Sequence, residues 1–440
     1  MNKDELLDRI QSHRARIGII GLGYVGLPLV LRFGEEHFSI LGFDVDIEKV
    51  RKLNAGQSYI RHIDAGRLQN LRNEKQFEAT TDFSRLAEAD AIIICVPTPL
   101  TAKKDPDLQF IEKTAESIQK TLRKGQLISL ESTTYPGTTD ELLLERFKST
   151  GLRVGEDYFL IFSPEREDPG NEKYSTRTIP KVVGGTTPAC LELGKALYSQ
   201  VIDRVIPVSS TRAAELVKLL ENIYRSVNIA LVNELKLLSE RMNIDVWEVI
   251  DAASSKPFGY TAFYPGPGLG GHCIPIDPFY LSWKAKEYDF STRFIQLAGE
   301  INTAMPHHVV ERIGDALNNR SKSIRGSRII LLGVAYKRDV DDVRESPALE
   351  IMELLQGRGA ILSYNDPYIP KLHKMRAHDF SDMSSVQLTE ECLMSHDVAL
   401  ITTDHTTFDY QFIVDHSNLV VDTRNATRKI TSGRDKIVRA

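Results

Sequence analysis

The stretch RIGIIGLGYVG, residues 16–26, decides the fold because it links a buried strand to a helix through three spaced glycines. Gly21 permits a tight turn, Gly23 lets the backbone approach a pyrophosphate, and Gly26 allows the helix to pack closely on the strand. The helix that follows points the positive end of its dipole at that phosphate. The stretch therefore predicts a dinucleotide-binding βαβ unit.

A carboxylate follows the next strand at the distance that such a unit requires. The strand SILGF, residues 39–43, leads into Asp44, eighteen residues after Gly26. In dinucleotide-binding proteins an acid at this point hydrogen-bonds the ribose hydroxyls. No Arg lies beside Asp44, and its charge would repel a 2′-phosphate, so the pattern favours NAD over NADP.

Two more strands end in segments rich in threonine and proline, VPTP at 96–99 and STTYPG at 132–137. Ligands of doubly wound sheets bind outside the carboxyl ends of the strands, so Thr98 and Thr133 are candidates to face the cofactor. Threonine and proline are also common turn residues, and turn chemistry explains both segments equally well.

Hydrophobic patterning divides the chain into three blocks. Short runs rich in Val and Ile alternate with amphipathic stretches from about residue 16 to 205 and again from about residue 326. This alternation predicts parallel sheets with helices on their faces. Between these blocks, about thirty residues from Ser210 or Thr211 contain no Gly or Pro and predict a helix roughly 45 Å long.

We therefore predict an α/β fold with two Rossmann-like, doubly wound, parallel-sheet domains joined by the long central helix and a small helical domain. The expected domains are residues 1–208, which bind NAD, 209–318, which are helical, and 319–440, which form the second sheet. The apolar residues of the long helix are too numerous for one stripe, which indicates burial between domains or subunits.

Composition and charge exclude several classes of protein. The 440 residues are 42% hydrophobic and 26% charged, which is typical of a soluble globular chain. The net charge of -5 provides no basic surface for a nucleic acid. The longest apolar runs, such as Ala91–Val96, have strand length, and the N-terminal segment is charged throughout, so we expect a cytoplasmic protein without a membrane partner.

The second α/β block lacks the three-glycine turn but carries cations after its strands. Its first strand, RIILLG, is followed by Lys337, whose ammonium offers a point charge to a diphosphate. Arg344 and Arg424 follow strands of the same block. These cations indicate either a second nucleotide site or a solvated surface.

The segment GGHCIPID, residues 270–277, contains the most informative of the four cysteines, Cys273. Glycines before it leave room for a ligand, and a thiolate is a good nucleophile when a nearby cation lowers its pKa. Lys218 and Asn222, at i and i+4 of the long helix, would present an ammonium and an amide on one face. A buried structural cysteine and a solvent-facing lysine remain the alternative, since spacing alone does not decide.

No two cysteines have a spacing typical of a metal site or a disulfide framework, and no histidines complete a zinc set, so no metal is expected.

Taken in order along the chain, these segments resemble those of the nucleotide-sugar 6-dehydrogenases. The segments are GLGYVG with Asp44, VPTP, ESTTYPGTT, SPEREDPGN, KLLEN, GPGLGGHCIPIDP, GVAYKRDVDDVRESP and DTRN. Within that family the sequence is most similar to the bacterial UDP-N-acetyl-D-glucosamine 6-dehydrogenases of surface-polysaccharide pathways. SPEREDPGN and GPGLGGHCIPIDPFYL carry this closer similarity.

The resemblance implies a four-electron oxidation of the sugar C6 alcohol to a carboxylate with two NAD. It implies a C-terminal UDP-binding domain and a central helix that forms a homodimer or a higher homo-oligomer. It makes Cys273 the nucleophile, with Lys218 and Asn222 holding the oxyanion. Asp277 would position or activate water, and Thr133 and Glu165 would complete the water and proton network.

The binding residues follow from the motifs and the resemblance together. The predicted NAD contacts are Gly21, Gly23, Tyr24, Val25, Gly26, Asp44, Lys49, Pro97, Thr98, Thr133 and Arg344. The predicted contacts to the UDP-sugar are Glu165, Arg166, Lys218, Asn222, Gly270, Lys337 and Arg424.

Two positions depart from the pattern of many UDP-glucose enzymes, which have a lysine at the position of Ile276 and a second glutamate at that of Pro169. Plain UDP-glucose is therefore the less favoured substrate. The same chemistry on UDP-N-acetyl-D-mannosamine, UDP-N-acetyl-D-galactosamine or UDP-glucose remains an alternative, as does a non-catalytic nucleotide-sugar sensor. A zinc alcohol dehydrogenase is disfavoured by the absence of clustered Cys and His.

Overall fold

The computed structural model describes residues 1–60, 63–101, 105–166, 174–271, 274, 276–375 and 378–440. The predicted nucleophile Cys273 and the departure at Pro169 lie outside these residues. The chain forms two compact units. Unit 1 comprises residues 1–221 and 279–291, and unit 2 comprises residues 222–278 and 292–440.

Unit 1 contains an eight-stranded sheet in the order β3-β2-β1-β4-β5-β6-β7-β8. All neighbours are parallel except β6 and β7, which are antiparallel. The strands are β1 (Arg16–Ile20), β2 (Ser39–Phe43), β3 (Phe77–Thr80), β4 (Ala91–Ile94), β5 (Leu127–Leu130), β6 (Phe159–Phe162), β7 (Lys181–Gly185) and β8 (Val205–Val208).

The helices of unit 1 follow the strands in the alternation that the sequence predicts. They are α1 (Lys3–Gln11), α2 (Gly26–Glu35), α3 (Ile47–Asn54), α4 (Ala65–Asn73), α5 (Gln109–Thr121), α6 (Glu145–Lys148) and α7 (Pro188–Ser199). Unit 1 also contains 3₁₀ turns at Phe83–Glu88 and Lys286–Tyr288 and a π-helical turn at Thr139–Leu144. The first six strands have the order of a dinucleotide-binding Rossmann sheet, in which strands are added to one side up to β3 and to the other side of β1 from β4 onward.

The long central helix is α8, Thr211–Arg241, and its 31 residues confirm the predicted element. After it come α9 (Val246–Ala253), α10 (Asp277–Ala285) and α11 (Arg293–Asn318). None of the helices in the described part of the chain combines the length and apolar content that crossing a bilayer requires.

Unit 2 contains a five-stranded, wholly parallel sheet in the order β10-β9-β11-β12-β13. Its strands are β9 (Arg328–Leu332), β10 (Ile361–Asn365), β11 (Val398–Ile401), β12 (Val420–Asp422) and β13 (Ile437–Arg439), and its remaining helices are α12 (Pro347–Gly357), α13 (Glu390–Met394) and α14 (Tyr410–His416). This order is that of a second doubly wound sheet. The predicted fold class is confirmed.

Strand burial explains why these segments form parallel sheets. Every residue of β4, β5, β6 and β11 is buried, as expected when helices cover both faces of a sheet. The strands β1 to β6 of unit 1 end at one edge of their sheet, as do all strands of unit 2, and the loops at these edges carry many of the polar residues that the sequence motifs indicate.

Candidate active site

The glycine turn after β1 has the geometry that its sequence predicts. Gly21 has φ +90, and a Cβ there would lie 2.5 Å from the carbonyl oxygen of Cys95. A Cβ on Gly26 would lie 1.9 Å from the oxygen of Gly21. A Cβ on Gly23, by contrast, would meet no atom of the described residues within 4 Å. The first and third glycines therefore serve packing, and the second leaves the open space that a phosphate needs.

Asp44 lies beside this turn, at the end of β2. Its carboxylate accepts hydrogen bonds from the amides of Leu22 at 3.1 Å and Asp46 at 3.0 Å. Lys49 extends its Nζ to 3.9 Å from Oδ2 of the same carboxylate. The structure thus brings together three of the predicted cofactor features: the glycine turn, the acid and the lysine. The open cradle and the adjacent acid fit the phosphates and ribose of NAD.

Tyr59 supports the same turn, although no sequence motif indicates it. Its hydroxyl donates to the carbonyl of Leu22, and Lys49 Nζ lies 5.8 Å from its ring centroid. Burial, followed by the charges of Asp44 and Asp46, raises the pKa of the Tyr59 phenol. A lone tyrosine in an irregular loop has no local pattern that could have indicated this role.

The segments after β4 and β5 lie at the same sheet edge as the glycine turn, because β1, β4 and β5 are neighbours. The Ser132 hydroxyl donates to the carbonyl of Val96 at 2.7 Å and so links the two segments. Thr98 is buried, and its carbonyl accepts the hydroxyl of Tyr280 at 2.7 Å. Pro97 is exposed beside Thr98, and Thr133 is partly exposed.

Lys218 on α8 is buried and paired with Glu165, which follows β6. Its Nζ donates to the main-chain oxygen of Glu165 at 2.7 Å and lies 3.3 Å from the carboxylate. An ammonium and a carboxylate held in this way can exchange a proton with a bound substrate or water. The structure therefore brings two of the predicted catalytic residues into direct contact.

Arg166, the next residue along, is held by α8 as well. Its guanidinium forms an ion pair with Glu221 and donates to the carbonyl of Pro180 at 2.5 Å. Glu221 belongs to the segment KLLEN, but nothing in the sequence pattern indicates its partner. Two adjacent ion pairs therefore hold the loop after β6 against α8. The loop supplies the carboxylate of one pair and the guanidinium of the other.

Asn222 and Asp277 form a second pair, in unit 2. The Asn222 amide donates to the Asp277 carboxylate, and both side chains are buried. Asp277 begins α10, and Asn222 lies one helical turn after Lys218 on α8. The hydrogen bond fixes the orientation of both groups.

Gly270 and Gly271 pack against the segment that carries Lys337. A Cβ on Gly270 would lie 2.8 Å from Cβ of Tyr336, and Gly271, with φ +89, donates its amide to the carbonyl of Arg344 at 3.2 Å. The Arg344 side chain pairs with Asp342, with Nη2 2.7 Å from the carboxylate. Gly270, Lys337 and Arg344 therefore belong to one neighbourhood in unit 2.

Arg424 lies against the same glycine-rich segment. A Cβ on Gly266 would lie 2.5 Å from an Nη atom of Arg424, so only glycine leaves room for the guanidinium. Arg424 Nε donates to the carbonyl of Thr402 at 3.0 Å. Burial, and then the charge of Arg338, lowers the pKa of Arg424 to about 10. A partly buried cation of this kind favours an anionic ligand, because a negative charge would compensate its desolvation.

Unit 1 has a glycine turn with an adjacent carboxylate, which is typical of dinucleotide-dependent oxidoreductases. A second doubly wound sheet with the partly buried Arg424 favours a nucleotide-linked substrate. Comparison with known families agrees. The chain matches the UDP-glucose/GDP-mannose dehydrogenase family in its NAD binding domain over residues 15–202, its central domain over 212–304 and its UDP binding domain over 330–429. The chain belongs to this family.

Similar proteins cover most of the chain. A UDP-N-acetyl-D-glucosamine 6-dehydrogenase of Pseudomonas aeruginosa is 36% identical over 358 residues, which are 80% of this chain and 83% of that protein. A UDP-N-acetyl-D-mannosamine dehydrogenase of Pyrococcus horikoshii is 34% identical over 396 residues, 89% of this chain and 90% of that one. A solved structure of the UDP-D-ManNAc dehydrogenase from Pyrococcus horikoshii has a TM-score of 0.86 at 30% identity and covers 96% of this chain and 98% of its own.

These findings confirm the family resemblance, NAD as the cofactor and UDP-sugar dehydrogenase chemistry. The two relatives above are named for different N-acetylated sugars, so membership of the family does not identify the sugar that this chain oxidises.

Proposed function

We propose that this protein oxidises the C6 alcohol of UDP-N-acetyl-D-glucosamine to the carboxylate, with two NAD per sugar, for the synthesis of a bacterial surface polysaccharide. The observation that carries the proposal is the polar face of α8. There Lys218 and Asn222, both buried and one turn apart, are bonded to Glu165 and Asp277. The similarity to the Pseudomonas aeruginosa enzyme supports the choice of sugar.

NAD, when bound at the glycine turn, accepts the hydride that leaves C6 in each of two oxidations. The first oxidation gives an aldehyde, and the Cys273 thiolate adds to its carbon to form a thiohemiacetal. The Lys218 ammonium and the Asn222 amide donate to the oxygen, where negative charge develops. The second oxidation gives a thioester on Cys273.

Hydrolysis then releases the carboxylate and regenerates the thiol. Asp277, oriented by Asn222, would take a proton from the attacking water, and such general-base assistance typically contributes about 10²–10⁴-fold. Thr133 and Glu165 would hold the water and relay protons, with Lys218 hydrogen-bonded to Glu165. Covalent capture at Cys273 prevents the reactive aldehyde from leaving before the second oxidation.

We further propose that Lys337 and Arg424 bind the nucleotide-sugar, that Arg166 and Gly270 border it, and that Arg344 lies near the cofactor or the diphosphate. The glycine-turn residues with Tyr24, Val25, Asp44, Lys49, Pro97 and Thr98 would contact NAD. The functional domains are proposed to be residues 1–208, 209–318 and 319–440.

A stoichiometry assay tests the proposed reaction. Purified protein receives NAD and, in separate reactions, UDP-N-acetylglucosamine, UDP-N-acetylmannosamine, UDP-N-acetylgalactosamine or UDP-glucose, and NADH is counted per sugar consumed. We expect two NADH per UDP-N-acetylglucosamine and a kcat/KM at least about tenfold above that of the other sugars, the effect of roughly 1.4 kcal/mol of differential binding. One NADH per sugar would indicate aldehyde release, and a preference for the mannosamine isomer would transfer the assignment to that sugar. No NADH with intact nucleotide binding would indicate a sensor.

We also propose that α8 pairs with a second copy of the chain. Its exposed apolar residues recur at three-, four- and seven-residue spacing along one face, namely Leu216, Leu220, Tyr224, Leu231, Leu235 and Leu238. An exposed apolar face of this length is typical of a protein–protein interface. The same helix of a second copy has a matching apolar face, and we take it as the partner.

Leu231→Glu should therefore weaken self-association, because it places a charge in the apolar face. Light scattering is expected to show a lower mass, with dissociation at protein concentrations at least about tenfold higher than for the unmodified chain. Ile361→Glu is the control, since Ile361 is 54% exposed against 52% for Leu231 and lies on a strand of unit 2. An unchanged mass for Leu231→Glu would contradict a dimer built on this face.

A further inference from the structure

The turns after the first strands of the two sheets begin alike. In unit 1, Gly21 has φ +90 and donates its amide to the carbonyl of Phe43 at 2.8 Å. In unit 2, Gly333 has φ +82 and donates to the carbonyl of Asn365 at 2.9 Å. Phe43 is followed by Asp44, and Asn365 is followed by Asp366. Asp366 therefore occupies the position at which unit 1 carries its ribose-binding acid.

Asp366 nevertheless differs from Asp44 in its hydrogen bonds. It accepts the amides of Val334 at 2.7 Å and Ala335 at 3.0 Å, as Asp44 accepts that of Leu22. It also accepts the amides of Tyr368 and Ile369 and the imidazole of His405, whose Nε2 lies 3.1 Å from Oδ2. The Asp366 side chain is fully buried. Its carboxylate is therefore saturated by the protein and holds the turn instead of a ligand.

His405 connects this carboxylate to the far end of the same turn. Its Nδ1 accepts the amide of Asp339 at 2.9 Å, so the proton must be on Nε2, which donates to Asp366. The imidazole is fully buried. Asp339 has φ 60, a left-handed backbone conformation that is uncommon for residues other than glycine. Asp366 and His405 together fix both ends of the segment 334–339, which contains Lys337.

The loop that carries His405 makes further bonds to this segment. The Thr403 hydroxyl donates to the carbonyl of Ala335 at 2.5 Å. The Thr406 amide and hydroxyl each donate to the Asp339 carboxylate at 2.9 Å. Arg338 forms an ion pair with Asp404. The residues on both sides of Lys337 are thus held by one loop, 402–406, with His405 at its buried centre.

We propose that His405 is a positioning residue for UDP-sugar binding: by bridging the Asp366 carboxylate and the Asp339 amide, it fixes the backbone that presents Lys337 to the nucleotide. This inference rests on the proposed role of Lys337 as a ligand of the UDP-sugar. In this proposal Asp366 has a structural role, because its carboxylate is occupied by protein donors. Among its described residues, the second sheet therefore has no acid that corresponds to Asp44 in binding a ribose.

Two conservative variants separate the two bonds of the imidazole. Glutamine places an amide nitrogen near the position of Nε2 and keeps the donor to Asp366, but it offers no acceptor to the Asp339 amide. Asparagine places an oxygen near Nδ1 and keeps that acceptor instead. We expect His405→Gln to raise the Kd for UDP about tenfold, because it leaves the Asp339 amide near Lys337 without its buried acceptor. His405→Asn should raise it only about threefold, because four backbone amides still hold the Asp366 carboxylate.

Titration calorimetry with UDP, and separately with NAD, measures these effects on the full-length chain without depending on the identity of the sugar. The Kd for NAD should stay within about twofold, since the NAD turn belongs to unit 1. Thr406→Val, at an exposed position, removes only a hydroxyl bond to Asp339. We expect it to raise the Kd for UDP about threefold, which keeps the test available if the His405 variants fold poorly.

His396→Gln is the matched control. His396 is another buried histidine of unit 2, bonded to the Ser363 hydroxyl at 2.7 Å and to the carbonyl of Cys392 at 2.6 Å. Its replacement should lower the melting temperature as the His405 variants do while leaving the Kd for UDP unchanged. Equal weakening of UDP binding by His396→Gln would show a general loss of structure and would overturn the proposal.

Lys337→Ala distinguishes the inference from the function on which it rests. If Lys337→Ala leaves UDP binding unchanged, the proposed role of Lys337 fails and the inference fails with it. If Lys337→Ala weakens UDP binding but His405→Gln and Thr406→Val do not, only the inference fails. Because His405 acts through Lys337, the double variant Lys337→Ala/His405→Gln should bind UDP no more weakly than Lys337→Ala alone.

Discussion

Cys273→Ser is expected to lower kcat by at least about 10³-fold while the Kd values for NAD and UDP stay within about twofold. A serine hydroxyl is a much poorer nucleophile than a thiolate, and losing a nucleophile removes the route to the product without removing the binding contacts. Steady-state NADH formation measures kcat, and calorimetry measures binding. The large effect on kcat combined with a small effect on binding is the signature of covalent catalysis.

The fate of the trapped carbon provides a second readout for this variant. If the serine oxygen attacks slowly, an oxygen ester replaces the thioester and hydrolyses slowly, so intact-protein mass spectrometry should detect an adduct of the nucleotide-sugar. Cys392→Ser is the control, since Cys392 lies on α13 of unit 2 and has no proposed role. Turnover by Cys273→Ser at the rate of the unmodified protein would remove covalent catalysis from the mechanism.

Local patterns predict the turn after β1 well, because its requirements are met within one short segment. Gly21 needs a positive φ and Gly26 needs to be close to the Gly21 oxygen, and both constraints act between residues that are neighbours in the chain. The same holds for α8, whose 31 residues contain no helix breaker. The fold class could be predicted from such segments because parallel sheets repeat one local unit.

Contacts between residues that are far apart in the sequence could not be predicted in this way, because no local sequence pattern indicates them. Lys218 meets Glu165 across 53 residues of sequence, and Arg166 meets Glu221 across 55. Spacing on α8 predicts that Lys218 and Asn222 share a face but leaves open whether that face is solvated. His405 and Tyr59 lie in irregular loops and acquire their roles from partners in the loops that follow other strands. The candidate site could therefore be selected by resemblance, while its pairing required the structure.

Lys218→Met is expected to lower kcat by about 10²–10³-fold, the effect typical of removing one donor from an oxyanion site. Methionine preserves the unbranched, apolar stem and removes only the charged donor, so packing along α8 should persist. Because the proposed oxyanion exists only after the thiolate has added, kcat and kcat/KM should fall by similar factors and UDP binding should change little. Steady-state kinetics with UDP-N-acetylglucosamine and NAD measure both parameters.

The variant also leaves the Glu165 carboxylate without its ammonium, which should cost about 1–3 kcal/mol of unfolding free energy. Lys284→Met is the control for this loss of stability. Lys284 is likewise buried in unit 1, and its Nζ lies 2.8 Å from the carboxylate of Glu141 and 2.6 Å from that of Glu287. Both variants should lose stability, but only Lys218→Met should lose kcat. A similar fall in kcat for the two would assign the effect to destabilisation, and an unchanged kcat for Lys218→Met would exclude its ammonium from the chemical step.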